Sequence, residues 1–416
     1  MKTINLIKSL LFLSVGTLML LSCQQEEGPS IEDYSLNYQI SEIAPVDGIG
    51  VGAFYTNNPY SNDTARYRRL ISEYDPDATP YPQLCPNVRP VLGYYSYDLN
   101  SVNTVYLIQQ HINWAVEGGI NFFILPKINY DANQMNYLNQ GTLNFYNYAE
   151  GMHENSLDLI HWGNFKFCTQ VQPSEVASGT SATIMLEDDT DANGYSPRME
   201  KLVNYFRGLA NRFFTDDTLY YHVDGKPLII VLNPQDLHCR DSKAVYDSIR
   251  AVVREVSGKE IYLVARQNCW TPTARFENFF LTGGVDALFM NNMYNQTLQQ
   301  RAYLYPQSIN ENWKYNREWA LSNYNIDFVP NISPGFNAWL SNQGTDRYNY
   351  PLMNYDVNTF RTMCNVAKMN LGNNKLVFID SFNDWTWATA LEPTDPYFGK
   401  GFGMQLLDVI REEFKR

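Results

Sequence analysis

Short, continuous apolar runs recur along the chain, and helix-length segments lie between most of them. Leu228-Ile229-Ile230-Val231-Leu232, Ile261–Ala265 and Val285–Met290 are examples, and Lys375–Ile379 is the last. A run without polar alternation reads as a strand buried on both faces, as in a parallel sheet covered by helices. The segments between carry the complementary period. Val105, Ile108, Ile112 and Ala115 fall three and four apart within 101–117, and Gly118-Gly119 follows as a stop. Ser196 and Pro197 are an N-cap and first-turn pair for a helix whose Met199, Leu202, Val203, Phe206, Leu209 and Phe213 share a face. Val245, Ile249, Val252 and Val256 stripe Ser242–Val256, which Gly258 ends. Further helices are predicted over Glu311–Ser322, Val357–Leu371 and Phe402–Phe414. Strand and helix in alternation predict an α/β fold. The form expected is a (β/α)8 TIM barrel, a single domain with long loops at its carboxyl-terminal face, and the 416 residues are enough for it. Asp47–Tyr55, Arg89–Tyr95, Ile120–Leu125, Asn164–Val171 and Ile326–Pro330 join the four runs above to make nine strands. A barrel holds eight, so one is misread or decorates it.

The two ends of the chain differ in kind. Lys2 and Lys8 precede an apolar stretch, Leu10–Leu21, too short for a comfortable membrane span. It ends Leu20-Leu21-Ser22-Cys23, which resembles the lipobox of bacterial lipoproteins, with Cys23 as the lipidated residue. An ordinary signal peptide cut nearby is the plainer alternative. The expected division is residues 1–22 as signal peptide, 23–45 as tether and leader, and 46–416 as barrel. The acidic residues after Cys23 resemble a surface-export signal, so the expected location is the outer membrane of a Gram-negative bacterium, on its periplasmic or cell-surface face. The membrane is then a partner only through that anchor. A net charge of −13 repels phosphate backbones, which excludes nucleic acid as a partner. Cys85, Cys168, Cys239, Cys269 and Cys364 are odd in number and widely spaced. They read as mostly buried free thiols, with at most two bridges.

Chemistry in such a barrel gathers just past the carboxyl ends of the strands. The polar and aromatic residues at those positions are Tyr55, Tyr95 with Asp98, Lys127, Gln170, Asn233, Asn291, Asn337 with Trp339, and the run Asn383-Asp384-Trp385-Thr386-Trp387. Each alone is more often structural than functional. Together they describe a polar, aromatic cleft suited to a carbohydrate, whose C–H faces stack on rings and whose hydroxyls bond carboxylates. Aromatic residues make up 14 % of the chain, with Tyr in excess of Phe, 30 against 22, which favours polar-tipped rings in a cleft. The five histidines do not pair at metal-ligand spacing, and no phosphate-binding or dinucleotide motif occurs. No metal and no cofactor is expected. Glu187-Asp188-Asp189 lacks the ligand alternation of a calcium loop and reads as a solvated turn.

Val91-Leu92-Gly93-Tyr94-Tyr95, Gly119–Ile124, Val223–Ile230, Ser333–Asn337 and Asn383-Asp384-Trp385 with Leu391-Glu392-Pro393 and Tyr397–Gly401 occur in an order that resembles the glycoside hydrolase family 99-like group. That group includes endo-α-mannosidase-like and WbsX-like proteins, and the resemblance covers about residues 45 to 415. It implies a metal-free barrel acting on a glycan, with mannose-containing glycans among the candidates, and some relatives are labelled as polysaccharide-biosynthesis transferases. The group's last loop reads Asn-Glu-Trp-x-Glu, where the first Glu assists the sugar 2-hydroxyl and the second is the acid/base. Here Asp384 holds the first place and Trp387, which transfers no proton, the second. Two carboxylates are the usual requirement for glycoside hydrolysis. Either another acid serves, with Glu392 the nearest by sequence, or the barrel binds glycan without cutting it. A glycoside hydrolase with Asp384 and Glu392 as catalytic residues is the leading expectation, and an inactive glycan-binding lipoprotein is the alternative.

Overall fold

The computed structural model describes residues 36–56, 58–60, 63–72, 85–97, 102–126, 161, 163–215, 218–267, 272, 276–277, 280–291, 302–338, 340 and 351–415. Cys23, Asp98, Lys127, Cys269 and Trp339 lie outside these residues, as do the signal and most of the tether. From Ile40 onward the chain is one compact unit.

The strands are β1 (Gly50–Phe54), β2 (Phe122–Leu125), β3 (Lys166–Val171), β4 (His222–Val223), β5 (Lys226–Leu232), β6 (Tyr262–Gln267), β7 (Ala287–Met290), β8 (Asp327–Phe328), β9 (Asn331–Ile332), β10 (Phe336–Asn337), β11 (Pro351–Met353) and β12 (Leu376–Ile379). The main sheet runs β8-β7-β6-β5-β3-β2-β1-β12-β9, and every pairing along it is parallel. Its two ends are halves of one segment. β8 pairs with β7, β9 pairs with β12, and only Val329-Pro330 separates them. The path therefore closes into a (β/α)8 barrel, with 327–332 as its seventh stave. β4 is a short antiparallel flap on β5, and β10 pairs with β11 apart from the main sheet. The ninth strand expected from the sequence is Arg89–Tyr95, and it is not one. Pro90 makes a single bridge to Thr394, and Gly93 turns at φ 65°. A proline without an N–H and a left-handed glycine three residues on cannot sustain a ladder.

Parallel register fixes which side chains enter the barrel, because paired residues point to the same face. Phe54, Phe289 and Phe378 come from staves that are not all neighbours, yet their ring centroids lie 5.3–6.0 Å apart. They therefore meet across the interior. Gly52 is in register with Phe122 and Phe378, and a Cβ there would stand 2.3 Å from the Phe122 ring. Only glycine leaves room for that ring.

The flanking helices are α1 (Thr64–Leu70), α2 (Val102–Glu117), α3 (Pro197–Leu209), α4 (Ser242–Ser257), α5 (Tyr305–Tyr324), α6 (Val357–Met369) and α7 (Gln405–Phe414). Ser196 caps α3 through a 3.2 Å bond from Met199 N, and Gly258 ends α4 at φ 69°. α5 begins six residues before the sequence pattern does. Its early turns bury Asn310, Asn312 and Asn316, polar residues that hide the apolar period, and Asn370 Nδ2 donates to Asn310 Oδ1 at 2.9 Å. Cys85, Cys168, Cys239 and Cys364 are buried free thiols.

Truncating Phe378 to alanine would empty the middle of this aromatic contact. The expected cost is about 3–5 kcal/mol in urea unfolding, whereas Tyr397→Ala, at a residue 97 % exposed, should leave the midpoint unchanged.

Candidate functional site

The barrel mouth lies one strand layer above the phenylalanine plug. Asp380 follows Phe378 by two residues and lies partly buried just past the end of β12, where its N–H donates to Ile332 O at 2.8 Å. By the same alternation Arg266, in register with Phe289, and Gln170, in register with Ile230, point inward from β6 and β3. Asn291 follows Phe289 by two residues, and its buried Oδ1 lacks a partner. Gln170 donates to Leu125 O at 3.3 Å. The Arg266 charge acts on Asp380 and partly offsets a burial that lifts that carboxyl above its ordinary range. Tyr305, at the start of α5, feels the Asp380 charge and is itself lifted, chiefly by burial.

Asp384 stands on the loop that leaves this layer. The loop is tied into one conformation. Ser381 N donates to Thr389 O at 2.8 Å, Leu391 N to Ser381 O at 3.0 Å, and Asp384 N to Ser381 Oγ at 2.7 Å. The Asp384 Oδ1 accepts Thr386 N at 2.9 Å. Burial, and then the Asp380 charge, push the Asp384 carboxyl up to about 7, against the lowering pull of its Thr386 bond. A carboxyl that exchanges its proton near neutrality is the property a general acid or base needs.

The other conspicuous residues of the same loop are directed elsewhere. Tyr55 follows Ala53 on the outward face of β1, and it meets α2, not the mouth. Its hydroxyl lies 2.8 Å from His111 Nδ1, and Tyr97 O–H donates to it. Asn383 Nδ2 donates to Tyr97 at 3.2 Å and to Thr56 O at 2.9 Å. Glu392 sits in the middle with 0 % exposure. Its Oε2 accepts Tyr95 O–H at 2.7 Å and Trp385 Nε1–H at 2.8 Å, and its Oε1 lies 3.4 Å from His111 Nε2, outside hydrogen-bond geometry. Glu392 thus ties the loop to Tyr95 and to the loop's own Trp385, and packs against His111 on α2. Trp385 is 1 % exposed, so neither face of its indole is open to a sugar ring. Trp387 is half-buried and stacks on Phe336 at 5.9 Å and 4°.

Of the residues singled out in the sequence, Asp384, Gln170 and Asn291 are brought to the mouth. Asn337 is buried beside it, where its N–H donates to Trp387 O at 2.7 Å. Tyr55, Tyr95, Asn383, Trp385 and Glu392 are brought together behind it. Asn233 adopts φ 45° and donates to Gln172 Oε1 at 3.4 Å. Asp380, Arg266 and Tyr305 were missed. The available signal was parity, since Asp380 stands two places beyond the inward Phe378. Glu187, Asp188 and Asp189 form a clasp: Glu187 accepts the N–H groups of Arg240 and Asp241, Asp188 pairs with Arg240, and Asp189 accepts Ser196 O–H and Arg198 N–H. A cavity of about 910 Å³ opens at the opposite end of the barrel, lined by Asn121, Phe165, Arg411 and Lys415. It lies at the amino-terminal face, away from the strand ends where barrel chemistry gathers.

Comparison with known proteins places these elements in company. A family model described as glycosyltransferase WbsX matches residues 92–406. The chain is similar to a solved structure described as a glycoside hydrolase-like protein, at 25 % identity and a TM-score of 0.72, over 92 % of this chain and 99 % of that one. It shares its fold with the family 99 endo-α-mannosidase of Bacteroides thetaiotaomicron, at 16 % identity and a TM-score of 0.53, over 87 % of this chain and 95 % of that one. No curated protein matches the chain.

The geometry gives two stability tests. Glu392→Leu leaves the Tyr95 and Trp385 donors without an acceptor and should cost about 1–3 kcal/mol for each. Glu392→Gln keeps one acceptor oxygen and should cost less in the same urea titration. For Asp384 the sign runs the other way. A carboxyl raised in the folded state binds its proton more tightly there than when unfolded, so stability is full below about pH 4 and falls as pH rises through about 7. Asp384→Asn should therefore be more stable than the parent at pH 8, by up to about 4 kcal/mol. The difference should vanish at pH 4 when unfolding is followed across that range.

Proposed function

The chain belongs to the WbsX glycosyltransferase family, and from that premise we propose that it is a carbohydrate-processing barrel that hydrolyses a glycan at the mouth described above. The observation that carries this reading is Asp384, a partly buried carboxyl pushed up to about 7 on the loop that leaves the last stave, next to a layer of inward polar side chains. In the reaction, protonated Asp384 gives its proton to the glycosidic oxygen as the bond to the anomeric carbon breaks and the leaving sugar departs as an alcohol; water then adds to the anomeric carbon and gives its proton to the Asp384 carboxylate, which restores the acid. The polar layer of Gln170, Asn291 and Arg266 holds the hydroxyls of the sugar whose ring takes on oxocarbenium character. Glu392 is assigned to holding the loop, since Tyr95, Trp385 and His111 occupy its surroundings. A mannose-containing glycan is the first substrate to try, given the fold shared with an endo-α-mannosidase.

A second reading has one observation in its favour. Trp387 stands where the resemblance places the acid/base, and its indole is packed on Phe336. On that reading the barrel binds glycan without cutting it. Incubation with a panel of mannans and host-type glycans, followed by calorimetry and by release of reducing ends, separates the two. Hydrolysis predicts product from at least one glycan and a loss of about 10²–10⁴-fold in Asp384→Asn. Binding heat with no product after prolonged incubation supports the second reading, and neither heat nor product rejects both.

For the location, we propose an exported lipoprotein anchored through Cys23 in the outer membrane of a Gram-negative bacterium. Cys23→Ser should move the protein from the membrane to the soluble fraction and abolish incorporation of labelled palmitate. Retention in the membrane would reject the anchor.

A further inference from the structure

A cavity of about 490 Å³ opens between the segment 92–96 and the first half of α2. Its volume falls in the range of small-molecule sites, about 300–1,000 Å³. α2 packs on the outward face of β1 and runs back toward the start of β2, so the cavity stands outside the ring of staves, at the carboxyl-terminal end. One wall is Asn103, Tyr106, Leu107 and Gln110, spaced three and four apart and so on one face of the helix. The other is Leu92, Tyr95 and Ser96. That second wall is strapped down. Val91 N donates to Pro393 O at 2.9 Å, Tyr60 O–H to Gly93 O at 3.0 Å, and Tyr95 O–H to Glu392 Oε2 at 2.7 Å. The Tyr95 ring also packs 5.4 Å from His111, on α2 itself, which joins the two walls. The hollow is therefore shaped before any ligand enters it.

The lining settles which ligand it suits. Among the described residues it holds no charged side chain, in a chain whose net charge is −13. An ionic ligand would find no counter-charge there and would lose water for nothing. What the lining offers is amides, hydroxyls and tyrosine rings. The side chains of Ser96, Tyr106 and Gln110 have no protein partner for their polar groups among the described residues. Tyr106 is 56 % exposed. A lone exposed tyrosine is ordinary, but this one edges a concave pocket beside an amide that both donates and accepts. We propose that this pocket is a binding site for a neutral glycan, separate from the mouth, in which a sugar ring lies on Tyr106 and its hydroxyls bond Gln110 and Ser96. Tyr95 belongs both to the pocket and to the buried group around Glu392, so the two sites rest on one post. The proposal shares with the reading above only that the ligand is a glycan, and it does not need the mouth to cut one.

The test is calorimetry and ligand-observed NMR on the full-length protein, with mannobiose, mannotetraose, cellobiose and maltose as probes. The parent should bind at least one of them saturably. Tyr106→Ala and Gln110→Ala should each weaken that binding about two- to tenfold, and Tyr106→Trp, which enlarges the platform, should retain it. Ser96→Trp fills the pocket from the opposite wall and should abolish it. Asn291→Ala, at the mouth, should leave it in place. Tyr106 and Ser96 are exposed, so their variants should unfold at the parent's urea midpoint. No binding of any probe by the parent overturns the proposal. So does binding that survives both Tyr106→Ala and Ser96→Trp, or that Asn291→Ala alone removes, since it then belongs elsewhere. Release of reducing ends is followed separately: failure of every glycan to be cut would count against the hydrolase reading and leave these affinities unaffected.

Discussion

The period of two along a strand is the constraint from which the rest of this molecule follows. In a closed barrel the two faces of a stave lead to different places. One enters an interior filled by Phe54, Phe289 and Phe378, and the other meets the helices. At the end of β1 the alternation sends Phe54 into the plug and Tyr55 toward His111 on α2. Past β12 it sends Asp380 into the mouth. A shift of one residue in either stave would exchange an apolar plug for a polar one and leave both faces wrong. Closure through 327–332 removes the free edge that would permit such a shift.

The buried group around Glu392 follows from that outward face. A carboxyl with no exposure costs free energy unless its oxygens are met; here two donors meet Oε2, and Oε1 lies 3.4 Å from His111 Nε2 without a hydrogen bond. In return the loop after β12 is fastened at Trp385 and at Glu392 to a helix that comes early in the chain. The mouth residues on that loop therefore rest on a packed support, with no need for side chains of their own to hold them. The arrangement matches a general requirement of functional sites, in which the groups that act are held by others whose rotamers are locked.

Much of this was legible in the sequence, and the misreadings have identifiable causes. The eight staves announce themselves because both of their faces are buried, so their runs are apolar throughout. Arg89–Tyr95 imitates such a run, but Pro90 and Gly93 were better evidence than its hydrophobicity. α5 was read short because its buried face carries asparagines. At the site the order along the chain was informative and the direction of side chains was not. Trp385 and Asp384 are adjacent, yet one is sealed against Glu392 and the other belongs to the mouth. Tryptophan was read as a platform for sugar because its faces are apolar. A buried tryptophan also needs a partner for its N–H, and Glu392 seven residues later supplied one. Asp380 was passed over because it closes an apolar run, where a polar residue looks like mere punctuation.

The loop's departure from the Asn-Glu-Trp-x-Glu pattern acquires a physical meaning in this setting. Trp387 removes a carboxyl from the loop and fills its place with an indole laid on Phe336, its carbonyl held by Asn337. The mouth nevertheless keeps two acids, because Asp380 stands at the strand end four residues before Asp384. Two partly buried carboxyls repel when both are charged, so such a pair needs a cation or a proton to persist. The charge of Arg266, directed inward from β6, lowers the Asp380 carboxyl against its burial, and burial lifts Asp384 up to about 7. The carboxyl missing from the loop at Trp387 thus leaves Asp380 and Asp384, four residues apart, as the acids at this end of the last stave.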